Sequence, residues 1–443
     1  MITAVTAHDV SRDDHCADTV PPESEDLNSL RVLAHYPVEH TESRDGSSRE
    51  DLDAHVARSG RHCAAGVQGD SLLDDLETAR VTGHGGGHFP VAAKWRSVLK
   101  LGGACVVVAN GAEGEPLSAK DAAVIQLRPH EVLDGAQFAA QATAAHEIVI
   151  WLPESATSSL RSIESALRER QAASYQELSV RIVSCPARYL SGESTAVAGA
   201  LAGGPALPSY QPKPGPPIDQ DGRVALVHNV ETLTHVAQTG IRGFADPRLV
   251  TVFTGNFRVV ATAGRAATLG SAIATARASA GLGPEFPSAV LLGGYGGQWV
   301  PWPIAASLPT DERALRGRGF SLGAGVIAPL PEDACGVAET ASILQYLADQ
   351  SAKQCGPCMF GLPAISNLVQ QLAFDRMKPS HWRRMETYLA QLGRRGACAH
   401  PDGAMRMLKS ALTTFADDIR SHAATGRCLH SGRDPVFPIL AAP

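Results

Sequence analysis

The sequence predicts an α/β protein closed by a C-terminal helical bundle. Three observations carry that reading. Short apolar, β-branched runs at 104–108, 148–152 and 180–183 alternate with helical stretches at 133–145 and 158–171, the rhythm of a sheet covered by helices. Beyond Cys335 the strand pattern stops, and 337–347, 362–374, 381–392 and 404–422 read as helices joined by short loops. In the last of these, Leu408, Leu412, Phe415 and Ile419 form one apolar face. Glycine (42) and proline (29) are plentiful while aromatics are only 5%, which favours a loop-rich chain whose backbone comes close to ligands.

The 443 residues, 44% of them apolar, allow two or three domains. Residues 1–69 are rich in Asp, Glu, Ser and His, with little period, and are expected to be partly disordered. Their six histidines are irregularly spaced and read as solvated polar sequence. Residues 70–245 carry the α/β pattern. In 246–328, two apolar β-branched runs flank Thr254-Gly255-Asn256-Phe257 as a hairpin, so a small β-rich domain is expected. Residues 329–443 are the helical region. A net charge of −6 provides no field for nucleic acid or anionic membrane. No apolar run reaches the roughly 20 residues of a membrane span, and the first residues lack a secretion signal. A cytoplasmic protein is expected, at most peripheral to a membrane complex.

Four motifs carry chemistry. Gly83-His84-Gly85-Gly86-Gly87-His88-Phe89-Pro90 precedes Lys94 and Trp95. Consecutive glycines remove the Cβ atoms that keep a phosphate or a flat ring off the backbone. A helix starting near Val91 points its free N–H groups at such an anion, with Lys94 one turn in. A flexible surface loop with a chance lysine reads the same way. Asn110-Gly111-Ala112-Glu113-Gly114-Glu115-Pro116 follows the 104–108 strand, at the strand end where α/β sheets bind ligands. Its carboxylates suit ribose or flavin-ring donors and repel bare phosphate, although a solvated acidic turn looks alike. Tyr189-Leu190-Ser191-Gly192-Glu193-Ser194-Thr195 and His228-Asn229-Val230-Glu231-Thr232 complete the set, each weak alone.

Taken in order, these motifs resemble GRGGAGFPxGxKW, NADEGEP, YxxGEETAL and NNVET in the family of flavin- and NADH-binding subunits of respiratory complex I. Related NAD-dependent hydrogenases and formate dehydrogenases share them. The resemblance runs from about 70 to 428, and the wording is closer to a stand-alone actinobacterial branch than to the respiratory subunit. It implies a Rossmann-like flavin-binding domain, a β-grasp-like domain and a helical iron–sulfur domain. It also implies an FMN pocket lined by Gly83, Gly85, Gly86, Lys94, Asn110, Glu113, Gly192, Glu193, Val227, His228, Asn229 and Thr232. Phe89 and Glu115 fall where the family contacts NADH, and Glu115 is the expected catalytic residue. The departures cluster on the nicotinamide side: His84 replaces the motif arginine, Ala112 an aspartate, Ser194 a glutamate and Ser97 an aromatic.

The cysteines number nine, too scattered for a disulfide framework. Cys355 and Cys358 form a C-x-x-C pair that, read alone, also suits zinc or a redox disulfide; Cys105 and Cys335 read as core residues. The family resemblance implies a [4Fe–4S] cluster held by C-x2-C-x2-C and a distant fourth cysteine. Here the first position is Ala352, leaving Cys355, Cys358 and Cys398, with Cys428 expected as the fourth ligand and His400 as the other candidate. The expected activity is electron transfer from NADH, through FMN and the cluster, to a ferredoxin or thioredoxin-like iron–sulfur protein. The competing expectation is a non-catalytic scaffold that keeps the fold without a working NADH site.

Overall fold

The computed structural model describes residues 30–38, 43, 49–60 and 69–439, apart from 176–177, 212–214, 219–221, 245, 265, 376, 426–427, 429 and 431–434. The described chain begins with β1 (Leu30–Pro37), which joins the second of two sheets. The first sheet holds β2 (Cys105–Asn110), β3 (Glu147–Pro153), β4 (Ser179–Cys185) and β5 (Val224–Asn229), all parallel in the order β4-β3-β2-β5. Its apolar runs are continuous because both faces are covered. Val107, Ala109, Ile148 and Leu226 pack into one core cluster, and Val106, Val108, Val149 and Val227 into another.

Helices Pro129–Ala142 and Val230–Arg242 cross against each other at Gly135, where an added Cβ would lie 1.9 Å from the Leu233 carbonyl oxygen. That contact holds helix Val230–Arg242, which begins in the fourth motif, against helix Pro129–Ala142.

The second sheet adds β6 (Leu249–Phe253), β7 (Phe257–Ala263), β8 (Ala289–Leu292), β9 (Gln298–Pro301) and β10 (Val326–Leu330), in the order β1-β7-β6-β10-β8-β9. The expected hairpin is β6–β7, turning through Gly255 at φ +89. Helix Leu269–Ser279, started by a Thr268–Ser271 capping box, follows β7. β10 then runs parallel to β6 and antiparallel to β8.

The polar N-terminal stretch is partly built into the fold. β1 pairs antiparallel with β7, and helix Leu52–Ser59 lies against the α/β layer. There His55 Nε2 meets Asp134 at 2.7 Å, and Arg58 bonds Glu50 at 2.7 Å and Glu131 at 3.1 Å. β1 escapes a periodicity reading because only Leu30, Ala34 and Tyr36 are buried, with Arg31 fully outward. The rest of 1–29, and 61–68, lies outside the described residues.

The predicted 404–422 helix is two helices, His400–Thr414 and Ala416–Thr425, broken at Phe415. The Phe415 ring stands edge-on to Trp299 at 5.0 Å and fills the space beside Gly336, where a Cβ would lie 2.2 Å away. Packing against the sheet domain therefore overrides helix continuity. Helices Gly336–Asp349, Leu362–Phe374 and Pro379–Gln391 complete the C-terminal region, and the turn Pro357–Gly361 is π-helical. Among the described residues, no helix is long and apolar enough to cross a membrane.

Candidate flavin and iron–sulfur sites

The four motifs meet at the carboxyl ends of β2 and β5, where Asn110 and Asn229 sit side by side in register. Asn110 Nδ2 donates to the Gly192 carbonyl at 2.7 Å, and its Oδ1 accepts from Ala112 N at 3.1 Å. Gly192 and Gly114 permit this closure: a Cβ on the first would lie 2.8 Å from Ala112 O, and on the second 2.3 Å from Tyr189 O. The glycine loop is tied in from the other side, since His84 N donates to Thr232 Oγ1 at 2.9 Å. Gly85 lies against Asn229, its Cβ position in ordinary contact at 3.6 Å from Asn229 Cβ. Gly86 and Gly87, in contrast, face open space; nothing lies within 4 Å of an added Cβ on either.

Lys94 is the fourth residue of helix Val91–Leu101, whose N-cap is Pro90 and which has no side-chain cap. Its Nζ donates to Val227 O, and burial pushes the ammonium down to about 8, with Glu193 the one charge opposing that shift. A buried ammonium so weakly balanced fits an anionic ligand. Together with an uncapped helix start and glycines facing free space, it gives what FMN requires. Trp95 Nε1 donates to His228 Nε2 at 2.7 Å, so that nitrogen accepts and the ring is neutral; burial and Lys94 hold it well below the ordinary imidazole range.

Several expected pocket residues turn out to brace the loops. Glu113 does not face the cradle: its carboxylate accepts from Ser118 Oγ, Asp121 N and Ala122 N. Helix Lys120–Leu127 begins at Ala119, which cannot cap it, so Glu113 supplies the missing acceptor. Glu193 caps helix Ser194–Leu201 in the same way, through Thr195 N and Ala196 N. Asn229 caps helix Val230–Arg242 and also bonds Asp121 at 2.7 Å.

The two residues expected to contact the nicotinamide part company. Phe89 is 58% exposed beside the glycine loop, whereas Glu115 is buried and its carboxylate is occupied by protein donors. Glu115 Oε2 accepts from Tyr295 N at 2.9 Å and from Tyr189 Oη at 3.3 Å. It ties the α/β layer to the second sheet through these bonds, while lining a cavity with Glu113, Tyr189 and Arg258. His84, in the motif arginine's place, also turns inward: Nδ1 lies 2.8 Å from Glu231 Oε1, and its ring packs edge-on to His235 at 4.3 Å.

Burial pushes the Glu115 carboxyl up to about 7, above an unfolded value near 4.5. The folded state therefore holds a proton that the unfolded state has released. That contribution is full below the unfolded value and is lost as pH rises through 7. Between pH 6 and pH 8, wild type should lose about 1 kcal/mol relative to Glu115→Gln. Urea midpoints of the two proteins across that range test this, and parallel curves would contradict it.

The thiols fall into two groups. Cys355, Cys358 and Cys398 lie near one another beyond the end of helix Gly336–Asp349; burial pushes Cys358 up to about 12 and Cys398 up to about 11, and each also feels the neighbouring sulfur of Cys355. Thiols this reluctant to ionise in an apolar setting suit a cationic cluster, which holds them as thiolates. Cys428 is not with them. It sits with Cys335 and His422, the three ligand atoms within 4.8 Å of one another. Cys335 precedes helix Gly336–Asp349 and Cys355 follows it, so 14 residues of helix, about 21 Å, separate the two groups. Cys428, the expected fourth ligand, therefore stands beside Cys335 and His422, while Cys335 lies in the core of the helical region as expected.

Comparison with known proteins agrees with this geometry. Residues 76–238 match the Nuo51 FMN-binding domain, and residues 338–422 match the iron–sulfur binding region of NADH-ubiquinone oxidoreductase-F. The two matched regions together span more than half of the chain. The chain belongs to the family of complex I flavin subunits. It is an FMN and [4Fe–4S] oxidoreductase member of that family, at low identity to its relatives. The NADH-quinone oxidoreductase F 2 subunit of Rhizobium meliloti is 24% identical over 382 residues, covering 81% of this chain and 90% of that protein. The corresponding F-type protein of Streptomyces coelicolor is 24% identical over 439 residues, covering 92% and 95%. An NAD+-reducing [NiFe]-hydrogenase in its H2-reduced state shares the fold, with a TM-score of 0.69 and 21% identity over 83% of this chain and 68% of that one.

Proposed function

We propose that this family member takes electrons from a nicotinamide nucleotide, NADH by preference, and passes them to a ferredoxin or thioredoxin-like iron–sulfur protein. FMN, when bound, supplies the chemistry that accepts a hydride and releases electrons singly to the cluster. The observation that carries the reading is Tyr189. It belongs to the third motif of the flavin cradle, donates to Glu115, and packs against His400 at 5.5 Å, next to the cluster thiols. One side chain thus spans the contact between the flavin loops and the helical region. Gln350 Oε1 accepts from Tyr189 N at 3.2 Å and fixes that contact. On the nicotinamide side, this chain offers Phe89 at the mouth of the cradle. By the same reading, the sheet formed around β6–β10 is the β-grasp-like module.

For the fourth cluster ligand, His400 takes the place of Cys428. Its Nε2 donates to Leu347 O at 2.7 Å, which leaves Nδ1 as a lone-pair donor. That Nδ1 is buried without a partner, two residues from Cys398. Metal-bound imidazoles are held by such a bond from the remote nitrogen. His400→Ala should release iron and give a three-iron resonance signal on exposure to oxygen. Full iron with an unchanged spectrum would remove His400 from the ligand set.

The scaffold reading has one observation in its favour, the inward turn of His84 and Glu115 on the nicotinamide side. Anaerobic titration with NADH and NADPH, followed by flavin absorbance, separates the two. Stoichiometric bleaching by NADH is expected. A bound flavin that neither nucleotide reduces would favour the scaffold.

A further inference from the structure

We propose that Cys335, His422 and Cys428 form a second metal centre, a zinc site that fastens the C-terminal tail to the helical domain. The three come from separate parts of the chain. Cys335 is the N-cap of helix Gly336–Asp349, His422 lies in the last helix, and Cys428 is in the tail beyond it. Their ligand atoms all lie within 4.8 Å of one another, and Cys335 Sγ stands 3.4 Å from His422 Nε2. With zinc–sulfur bonds of about 2.3 Å and zinc–nitrogen bonds of about 2.0 Å, the edge of a tetrahedral site is roughly 3.6 Å. The observed pair is already at that spacing.

The chemistry of the surroundings agrees. His422 is 1% exposed and Cys335 8%, among apolar residues of the helical core. Cys335 Sγ accepts from Ala338 N at 3.4 Å, which fixes the sulfur at the start of the helix. His422 Nδ1, the ring nitrogen away from Cys335, is buried without a hydrogen-bond partner, near the backbone of Leu372 and Ala373. Two thiolates and an imidazole match the softness of zinc ligands. The fourth position of the tetrahedron would be taken by a water.

The centre is independent of the iron–sulfur thiols, which lie beyond the far end of helix Gly336–Asp349. The iron–sulfur family match covers 338–422, so Cys335 and Cys428 fall outside it. The tail it would fasten is docked onto the domain: Val436 N and Phe437 N donate to Glu339, and Tyr295 Oη donates to Pro438 O at 2.5 Å.

The test is element-specific and does not depend on activity. Protein expressed with added zinc and purified anaerobically is analysed for zinc and iron, and by X-ray absorption at the zinc edge. The expected result is one zinc per chain, with two sulfur neighbours at about 2.3 Å and nitrogen or oxygen at about 2.0 Å. Cys428→Ser and His422→Ala should lose zinc and keep iron, whereas Cys358→Ala should lose iron and keep zinc. Zinc far below one per chain in wild type would overturn the proposal. So would a zinc shell without sulfur, loss of iron instead of zinc in Cys428→Ser, or a Cys335–Cys428 disulfide in the anaerobic protein. Because wild type alone answers the stoichiometry and shell questions, a variant that fails to fold leaves the test intact.

Discussion

Gly135→Ala is expected to destabilise the α/β domain by about 3–5 kcal/mol, or to leave the protein insoluble. Propensity alone predicts the opposite sign, since alanine in a helix interior gains roughly 1 kcal/mol over glycine. The Cβ at this position would lie 1.9 Å from the Leu233 carbonyl oxygen, so helices Pro129–Ala142 and Val230–Arg242 would have to separate. Backbone, unlike the end of a flexible side chain, has nowhere to go. Gly199 provides the control: it too lies within a helix, but its Cβ would sit 3.7 Å from Pro205 O, an ordinary contact. Gly199→Ala should therefore be neutral or slightly stabilising. Urea unfolding of both variants decides the matter, and equal effects would mean that the helix crossing is looser than described.

Gly86→Val should lower bound FMN at least tenfold while leaving the far-ultraviolet circular dichroism spectrum near that of wild type. Gly86 has φ +92 and open space where a side chain would go, so a branched residue meets no protein atom. What it would occupy is the open space in front of the glycine loop that the cofactor needs. The positive φ adds strain that valine tolerates poorly, and this must be distinguished from steric exclusion of the flavin. Gly222→Val makes the distinction, because Gly222 has φ +78, also faces open space, and lies in none of the four motifs. It should carry similar strain and retain its flavin. Flavin released by denaturation, measured against protein, is the readout; full occupancy in Gly86→Val would move the cofactor away from the glycine loop.

The sequence showed more of this molecule in its loops than in its charges. The glycine loop, the Asn110 turn and the β5 end could be placed together because glycine and strand-end asparagine answer to backbone geometry, which is local. The roles of Glu113 and Glu193 were hidden because both motifs read as ligand-facing, while the starts of two helices, one with an alanine N-cap, claim their carboxylates. The donors to Glu115 were hidden for a related reason: Tyr189 and Tyr295 come from 74 and 180 residues away. β1 was obscured by its edge position, which buries three side chains and leaves its polar face without a period. The Cys335–His422 contact spans 87 residues, and no spacing rule reaches that far. In each case the missing information is long-range packing, not local propensity.

The central claim is that one chain holds a flavin in the cradle at the ends of β2 and β5, and an iron–sulfur cluster at Cys355, Cys358 and Cys398. The most direct measurement is the flavin, iron and acid-labile sulfide content of protein purified without oxygen. One FMN, four irons and four sulfides per chain are predicted. Protein that is folded and yet carries neither flavin nor sulfide would contradict the account.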